Sequence, residues 1–149
     1  MSQIDQHGTP GMIGARWWEI YDNTFNNGVP HASQCCFISL RAGSGVVFNN
    51  HHTGVSQDGN SIDLYEEDSG YPALYQIGRG KNQALDPAYV WDNDLFFSVD
   101  SQTPNMVQEN RDYYLFAKPD YIPYTYPHPL RNESGDSTPP ASPSGLAVD

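Results

Sequence analysis

Four acidic residues within six positions, Asp63, Glu66, Glu67 and Asp68, are the side chains best placed by type and spacing to do chemistry. Outward-facing carboxylates two residues apart on a strand are separated by about 6.6 Å at the backbone, and those on neighbouring strands by about 4.8 Å. Such separations suit the paired carboxyl groups of inverting and retaining glycosidases. We therefore assign acid–base roles to Asp63 and Glu66, with a solvated acidic turn as the alternative.

The same group of oxygens could instead hold a calcium ion, which takes six to eight oxygen ligands. Glu67 and Asp68 are the ligands that we expect in that case. The adjacent His51 and His52 point to opposite faces of a strand, so they cannot share one metal ion without a turn. Beyond calcium, the sequence points to no cofactor.

Aromatic and cationic side chains supply candidate contacts to a sugar. Tyr65, Tyr71 and Trp91 could stack on pyranose rings, and Arg79 could bind a polar substituent. Arg41, Arg79 and Lys81 could also be considered as bases of a lyase, but a bare arginine is a poor base because its pKa exceeds about 12. The alternative for both arginines is a structural role at the surface or in a turn.

Charge and hydropathy exclude several classes of partner. Eighteen Asp and Glu residues against seven Lys and Arg give a formal net charge of −11. Such a surface repels phosphate backbones, so no nucleic-acid partner is expected, and it disfavours anionic polysaccharides unless a cation bridges. No run of 18 apolar residues occurs, so no membrane span is predicted. The adjacent Cys35 and Cys36 can pair only through a strained ring, which predicts buried thiols without an intrachain disulfide.

The scaffold that positions the candidate site residues is indicated by three segments with one shared sequence pattern. Each has a β-branched residue, an aromatic residue, Asp or Asn, and then Asn, and they end at Asn23, Asn50 and Asn93. A short strand that recurs at a period in the twenties is typical of a solenoid, whose coils stack on one another. Because an amide both donates and accepts, the three asparagines are predicted to form a hydrogen-bonded ladder. Three unrelated turns are the alternative.

A second series of strands repeats with a similar step. Residues 37–41 and 62–65 alternate apolar and polar side chains, and Leu40 precedes Leu64 by nearly the same interval as Asn23 precedes Asn50. The longer step to Asn93 requires an insertion, which we place between Glu66 and Pro87. Insertions in solenoids are displayed on one face, commonly the binding face.

The C-terminal third differs in composition from the repeats. Proline is too frequent in Tyr113–Leu130 to extend a sheet, while its aromatic residues need burial, so this segment is predicted to cap the last coil. The Ser/Pro-rich residues 132–144 are predicted to form a disordered linker. Residues 145–149 resemble the first strand of a fibronectin type III domain, which would follow in the parent protein.

Taken together, these segments resemble the right-handed parallel β-helix proteins of the pectin-lyase-like superfamily. The resemblance is carried by Glu19–Phe25, Leu40–Asn50, Tyr89–Asn93 and Tyr126–Leu130. It implies an all-β fold, a right-handed parallel β-helix (solenoid) of about three coils over residues 1–131, with a C-terminal cap and a disordered tail. Since proteins of this group have more coils, it also implies the C-terminal part of a longer secreted protein with covalently linked neighbouring domains.

The function that the resemblance implies is recognition of an extracellular polysaccharide. Members include polysaccharide lyases, glycoside hydrolases and adhesins without catalysis, so the fold does not decide the activity. If the chain is an enzyme, it is expected to be a lyase or a hydrolase. The alternative is a non-catalytic adhesion or structural module.

Overall fold

The computed structural model describes residues 4–6, 16–27, 36–54, 61–66, 76–101 and 106–125. The regular secondary structure of these residues consists of ten β-strands and one short 3-10 turn. The chain divides into two compact units, Met1–Pro119 and Asp120–Asp149, and all ten strands belong to the first. Residues 120–125 of the second unit form no strand or helix. The predicted linker at 132–144 and the terminus at 145–149 lie outside the described residues.

The strands are short and separated by turns or by parts of the chain that are not described. Their bounds are β1 (Ile4–Gln6), β2 (Trp17–Tyr21), β3 (Thr24–Asn27), β4 (Ile38–Leu40), β5 (Ser44–Phe48), β6 (His51–Gly54), β7 (Ser61–Glu66), β8 (Ala88–Trp91), β9 (Phe96–Ser101) and β10 (Tyr113–Tyr114), with the 3-10 turn at Lys81–Gln83.

All pairings between these strands are parallel. Sheet one has the order β10-β8-β5-β2, sheet two the order β1-β4-β7-β9, and sheet three contains β3 and β6. Consecutive strands thus enter different sheets, and strands of one sheet are distant in sequence. The prediction of an all-β chain is confirmed, and its sheets are parallel.

Strand pairing follows the spacing of the sequence pattern. Ile20 of β2 pairs with Val47 of β5, which pairs with Val90 of β8. In sheet two, Leu40 pairs with Leu64. Equivalent positions of the predicted repeats therefore lie side by side, because a one-residue slip would turn the apolar side chains of each strand toward solvent.

The apolar core lies between the sheets and is built from alternate residues of each strand. Its largest fully buried side chains are Phe37, Ile38, Leu40, Ile62, Leu64, Ile77 and Val47. Trp18 joins this core, and its indole N–H donates to the Ala42 carbonyl at 3.1 Å. Gly45, opposite Trp18 in the register, has φ 155°, and a Cβ there would collide with the carbonyl and the indole of Trp18. The Trp18 side chain can be buried here only because residue 45 is glycine.

Cysteine chemistry differs from the prediction. Cys36 is fully buried and disulfide-bonded, so the prediction of buried thiols without a disulfide is wrong. The chain's other cysteine, Cys35, lies outside the described residues. Ring strain raises the free energy of a disulfide between neighbouring residues but does not forbid it.

Candidate functional site

Three asparagines form a column at the ends of strands β2, β5 and β8. The Nδ2 group of Asn23 donates to Oδ1 of Asn50 at 2.9 Å, and Nδ2 of Asn50 donates to Oδ1 of Asn93 at 2.9 Å. The backbone N–H groups of Asn23 and Asn50 reach the same two oxygens at 3.3 and 3.1 Å. Asn50 is fully buried. The side-chain amides therefore hydrogen-bond to one another in sequence, and the column fixes the strand ends relative to one another.

The residue before each of these asparagines turns the chain away from the strand. Asp22, Asn49 and Asp92 have φ values of 56°, 51° and 49°. Asp and Asn tolerate this left-handed conformation better than other non-glycine residues. In the first repeat this turn separates β2 from β3. It also leaves the side chains of Asp22, Asn49 and Asp92 exposed.

An aromatic column runs beside the asparagines on the outer face of sheet one. The rings of Tyr21 and Phe48 stack with centroids 4.8 Å apart and planes 14° apart. Those of Phe48 and Trp91 stack at 4.4 Å and 5°. The three residues pair across β2, β5 and β8 in the strand register, so the spacing of the rings is that of the strands. Stacking along the column directs the ring edges away from the sheet.

A cavity of about 130 Å³ lies at the Trp91 end of the aromatic column. Its exposed surface is divided almost equally between polar and apolar atoms, and Asp92 and the ladder residue Asn93 are its polar residues. The remaining lining residues are Ile62, Val90, Leu95, Phe97 and Leu115. The cavity is smaller than an ordinary small-molecule pocket, but it places an aromatic residue and aliphatic residues beside polar groups. Trp91 is thus the predicted substrate-binding residue that lies in a cavity.

Next to the asparagine column, a row of polar side chains crosses three strand layers. Nδ2 of Asn49 donates to Oδ1 of Asp22 at 2.6 Å, and Oδ1 of Asn49 lies 3.1 Å from Nε2 of His51. Nδ1 of His51 lies 3.2 Å from Oδ2 of Asp94, whose Oδ1 accepts the His52 backbone N–H at 2.7 Å. Because His51 and Asp94 are about half exposed, at 50% and 52%, the row is accessible to a ligand.

Three members of this row, Asp22, Asn49 and Asp94, were not predicted as site residues from the sequence. All three are neighbours of ladder asparagines, and His51 pairs with Thr24 in the register of β3 and β6. Aligning the repeats on the asparagines would have placed Thr24, His51 and Asp94 in one column.

The predicted catalytic residue Asp63 lies on sheet two. It pairs with Ser39 and Ser98 in the register, and Oγ of Ser98 donates to its Oδ1 at 3.0 Å. Burial raises the pKa of Asp63, the hydrogen bond from Ser98 opposes that rise, and the charge of nearby Asp100 adds to it. Arg41 lowers the pKa by a smaller amount. Asp63 therefore holds its proton more firmly than an ordinary aspartate does.

The other predicted residues near Asp63 are only partly described. Tyr65 follows it on β7, and the guanidinium of Arg41 lies 5.2 Å from the centroid of the Tyr65 ring. The backbone of Glu66 ends strand β7. Three further predicted residues lie outside the described residues, namely Glu67, Asp68 and Tyr71. Asp63 and Tyr65 belong to sheet two and Trp91 to sheet one, so the predicted set is divided between two sheets.

Arg79, also predicted to bind substrate, contacts a buried carboxylate. Its Nη1 donates to Oδ1 of Asp112 at 2.7 Å, and Asp112 is fully buried. Nη2 of Arg111 donates to Oδ2 of Asp112 at 2.6 Å, and the Gln108 backbone N–H donates to the same oxygen at 2.9 Å. Because several donors neutralise and solvate Asp112, the cluster can anchor residues 108–113 to the turn at Gly78.

The described part of the chain contains neither a clustered metal site nor a membrane-spanning helix. No group of three or more His, Cys, Asp and Glu side chains there is arranged to hold a metal ion. Within the same residues, no helix has the length and apolar character needed to cross a bilayer.

No protein-family model, no curated protein and no solved structure matches this chain.

Proposed function

We propose that residues 1–131 form a right-handed parallel β-helix of about three coils, as in the pectin-lyase-like superfamily. The proposal is supported by the sheet order, because β2 to β4 and then β5 to β7 enter sheets one, three and two in turn. Parallel pairing at the repeat spacing and the asparagine column support it further. In this proposal, β10 begins the cap Tyr113–Leu130 by pairing with β8.

We further propose that the chain recognises a carbohydrate, with a sugar ring bound at the Trp91 cavity. The observation that carries this proposal is the combination of Trp91, aliphatic residues and the polar groups of Asp92 and Asn93 around one cavity of about 130 Å³. A sugar has apolar C–H faces and polar hydroxyl edges, so it needs both kinds of contact. Asp92 and the neighbouring Asp94 can accept hydrogen bonds from hydroxyl groups.

Charge narrows the class of glycan. The formal net charge of −11 and the exposed carboxylates at this corner disfavour uronates and sulfated sugars, and neutral or cationic glycans are expected to bind better. We place the protein outside the cell, because an extracellular polysaccharide is the proposed partner. Calcium would extend binding to anionic glycans if Glu67 and Asp68 hold it.

A glycan screen with matched variants tests this proposal. Wild-type protein is titrated by calorimetry with neutral, amino and uronate oligosaccharides, each with calcium and with a chelator. We expect Trp91→Ala to weaken binding roughly tenfold, because a central aromatic anchor is worth more than about 1.4 kcal/mol. Phe96→Ala, an exposed aromatic residue on β9, is the control. Equal affinities of wild type and Trp91→Ala would place any glycan elsewhere, and no binding by the wild type would refute carbohydrate recognition.

The raised pKa of Asp63 favours a second candidate, glycan hydrolysis with Asp63 as the acid. A carboxyl group that retains its proton can protonate a leaving oxygen, and Asp100 lies close enough to affect its charge. Product analysis after incubation with the bound oligosaccharides distinguishes the candidates. Turnover that Asp63→Asn abolishes, with binding retained, would indicate an enzyme. Binding without turnover would indicate a recognition module.

A further inference from the structure

A lysine ammonium group is held between two aromatic rings on the outer face of sheet one. Nζ of Lys118 lies 5.3 Å from the centroid of the Trp17 ring and 4.6 Å from that of the Tyr89 ring. Both distances fall within the roughly 6 Å over which a ring face attracts a cation. Trp17 is on β2 and Tyr89 is on β8, so the two rings belong to strands that are not neighbours.

The strand between those two, β5, supplies the floor of a trough. Trp17 pairs with Ser44, and Val46 pairs with Tyr89, so small side chains lie between the two large rings. The strands β2 and β8 are about 9.6 Å apart, since β5 separates them. Trp17 and Tyr89 are also offset by two residues along their strands, so Nζ of Lys118 bridges the two rings diagonally, about 5 Å from each. We call this space, defined by Trp17, Ser44, Val46 and Tyr89, the ammonium trough.

The segment that brings Lys118 to the trough is held mainly by aromatic contacts. It follows β10, and the Phe116 ring contacts those of Tyr89 and Tyr114 at 5.9 and 4.9 Å between centroids. Leu115 and Phe116 are nevertheless 46% and 50% exposed. Because exposed segments with few buried contacts open at little cost, Lys118 can leave the trough without unfolding of the sheet.

We propose that the ammonium trough is a binding site for the protonated amine of a 2-amino-2-deoxy sugar, which the chain's own Lys118 occupies in this structure. The chemistry is that of aromatic cages for ammonium ligands, in which ring faces attract the cation. The carboxylate of Glu19 shares the outer face of sheet one with Trp17, and the net charge of −11 attracts a cationic glycan. This inference rests on the proposed carbohydrate recognition and names the sugar class.

Lys118 is a tethered competitor in this proposal. A ligand binds only to molecules whose trough is open, so its apparent affinity falls by the fraction of open molecules. Two exposed cation–π contacts are expected to leave on the order of one molecule in ten open. Removal of the ammonium group should therefore raise the affinity for an amino sugar on the order of tenfold.

The experiment compares two oligosaccharides and three variants. β-1,4-linked glucosamine oligomers and their N-acetylated counterparts of equal length are titrated by calorimetry into wild type, Lys118→Gln and Lys81→Ala. Lys81 is an exposed lysine of the 3-10 turn and serves as the control. We expect Lys118→Gln to bind the glucosamine oligomer on the order of tenfold tighter than wild type, while Lys81→Ala and the N-acetylated oligomer show less than a twofold change. The gain should disappear when Trp17→Leu is added.

The outcomes separate this inference from carbohydrate recognition itself. The ammonium trough would be overturned if Lys118→Gln did not bind the glucosamine oligomer more tightly than wild type. It would also be overturned if the affinity for the N-acetylated oligomer rose equally, or if the increase in affinity persisted in the presence of Trp17→Leu. Binding of neutral sugars that depends on Trp91 would remain valid in each case. If no sugar binds, tetramethylammonium chloride is titrated into Lys118→Gln against sodium chloride at equal ionic strength. A saturable heat of binding that Trp17→Leu removes supports the trough and confines the failure to the sugar. Absence of a binding heat with Lys118→Gln overturns the trough.

Discussion

Asn50 and Asn93 are 43 residues apart in sequence, and Nδ2 of Asn50 nevertheless donates to Oδ1 of Asn93 at 2.9 Å. Asn23 and Asn50 make the same bond at 2.9 Å across 27 residues. The additional residues of the longer step therefore leave the stacking of the two strands unchanged. They are accommodated between β7 and β8, where the chain turns through Gly78–Asp86 before sheet one resumes.

Replacement of Asn50 by alanine tests the asparagine column. The change removes the bond to Asn93 and leaves the Asn23 amide and its backbone N–H without their acceptor. Because Asn50 is fully buried, we expect a loss of about 2–4 kcal/mol in the free energy of unfolding. Urea denaturation followed by circular dichroism gives the value. Asn26→Ala, at an exposed position of β3, should change stability by less than about 0.5 kcal/mol, and equal losses would contradict a role for the column.

Asp112→Asn should be among the most destabilising single changes. It leaves two arginines, Arg79 and Arg111, without the fully buried carboxylate that binds both. Breaking a buried ion pair from one side costs about 3–5 kcal/mol, and the exposure of the arginines should place the loss toward the lower value. Thermal melting of this variant beside Glu109→Gln, an exposed neighbour, measures the effect. A melting temperature equal to that of the control would mean that the cluster does not anchor this turn.

The raised pKa of Asp63 predicts a pH dependence of stability. Because burial raises the folded-state pKa above its ordinary value of 3.8, the folded protein binds the proton more tightly than the unfolded chain does. The contribution of Asp63 to stability is therefore most favourable below the unfolded pKa and is lost as the pH rises through the folded pKa. Asp63→Asn should remove this dependence and be at least as stable as wild type at pH 7. Urea denaturation at pH values between 3 and 7 gives the free energy of unfolding of both proteins. The same change of that free energy with pH in wild type and Asp63→Asn would contradict this prediction.

The contact between His51 and Asp94 should contribute little to stability despite its geometry. Both side chains are about half exposed, so water and salt screen their attraction. A double-mutant cycle with His51→Ala and Asp94→Ala should give a coupling energy below about 1 kcal/mol that decreases at high salt. A larger, salt-independent coupling would show that the polar row contributes more to stability than its exposure predicts.

The sequence determined the strand repeats and the asparagines that end them. A fixed asparagine and alternating apolar residues specify which side chains face inward, and the pairing of equivalent residues follows from that pattern. For this reason, Ile20 with Val47 and Leu40 with Leu64 were predictable as neighbours. The structure places the left-handed turn at the residue before each ladder asparagine, at Asp22, Asn49 and Asp92, which are of the two types that tolerate this conformation.

Only the tertiary structure decided which side chains form a site. Asp63 and Trp91 belong to different sheets, and sequence spacing cannot report a distance across a core. Arg79 contacts Asp112 and Lys118 contacts Trp17, through pairs of residues far apart in the chain. These contacts depend on the path of the segments that follow β7 and β10, which no repeat specifies. The local pattern therefore fixed the strands and their ladder, and the packing of non-repeating segments fixed the cavity, the buried ion cluster and the ammonium trough.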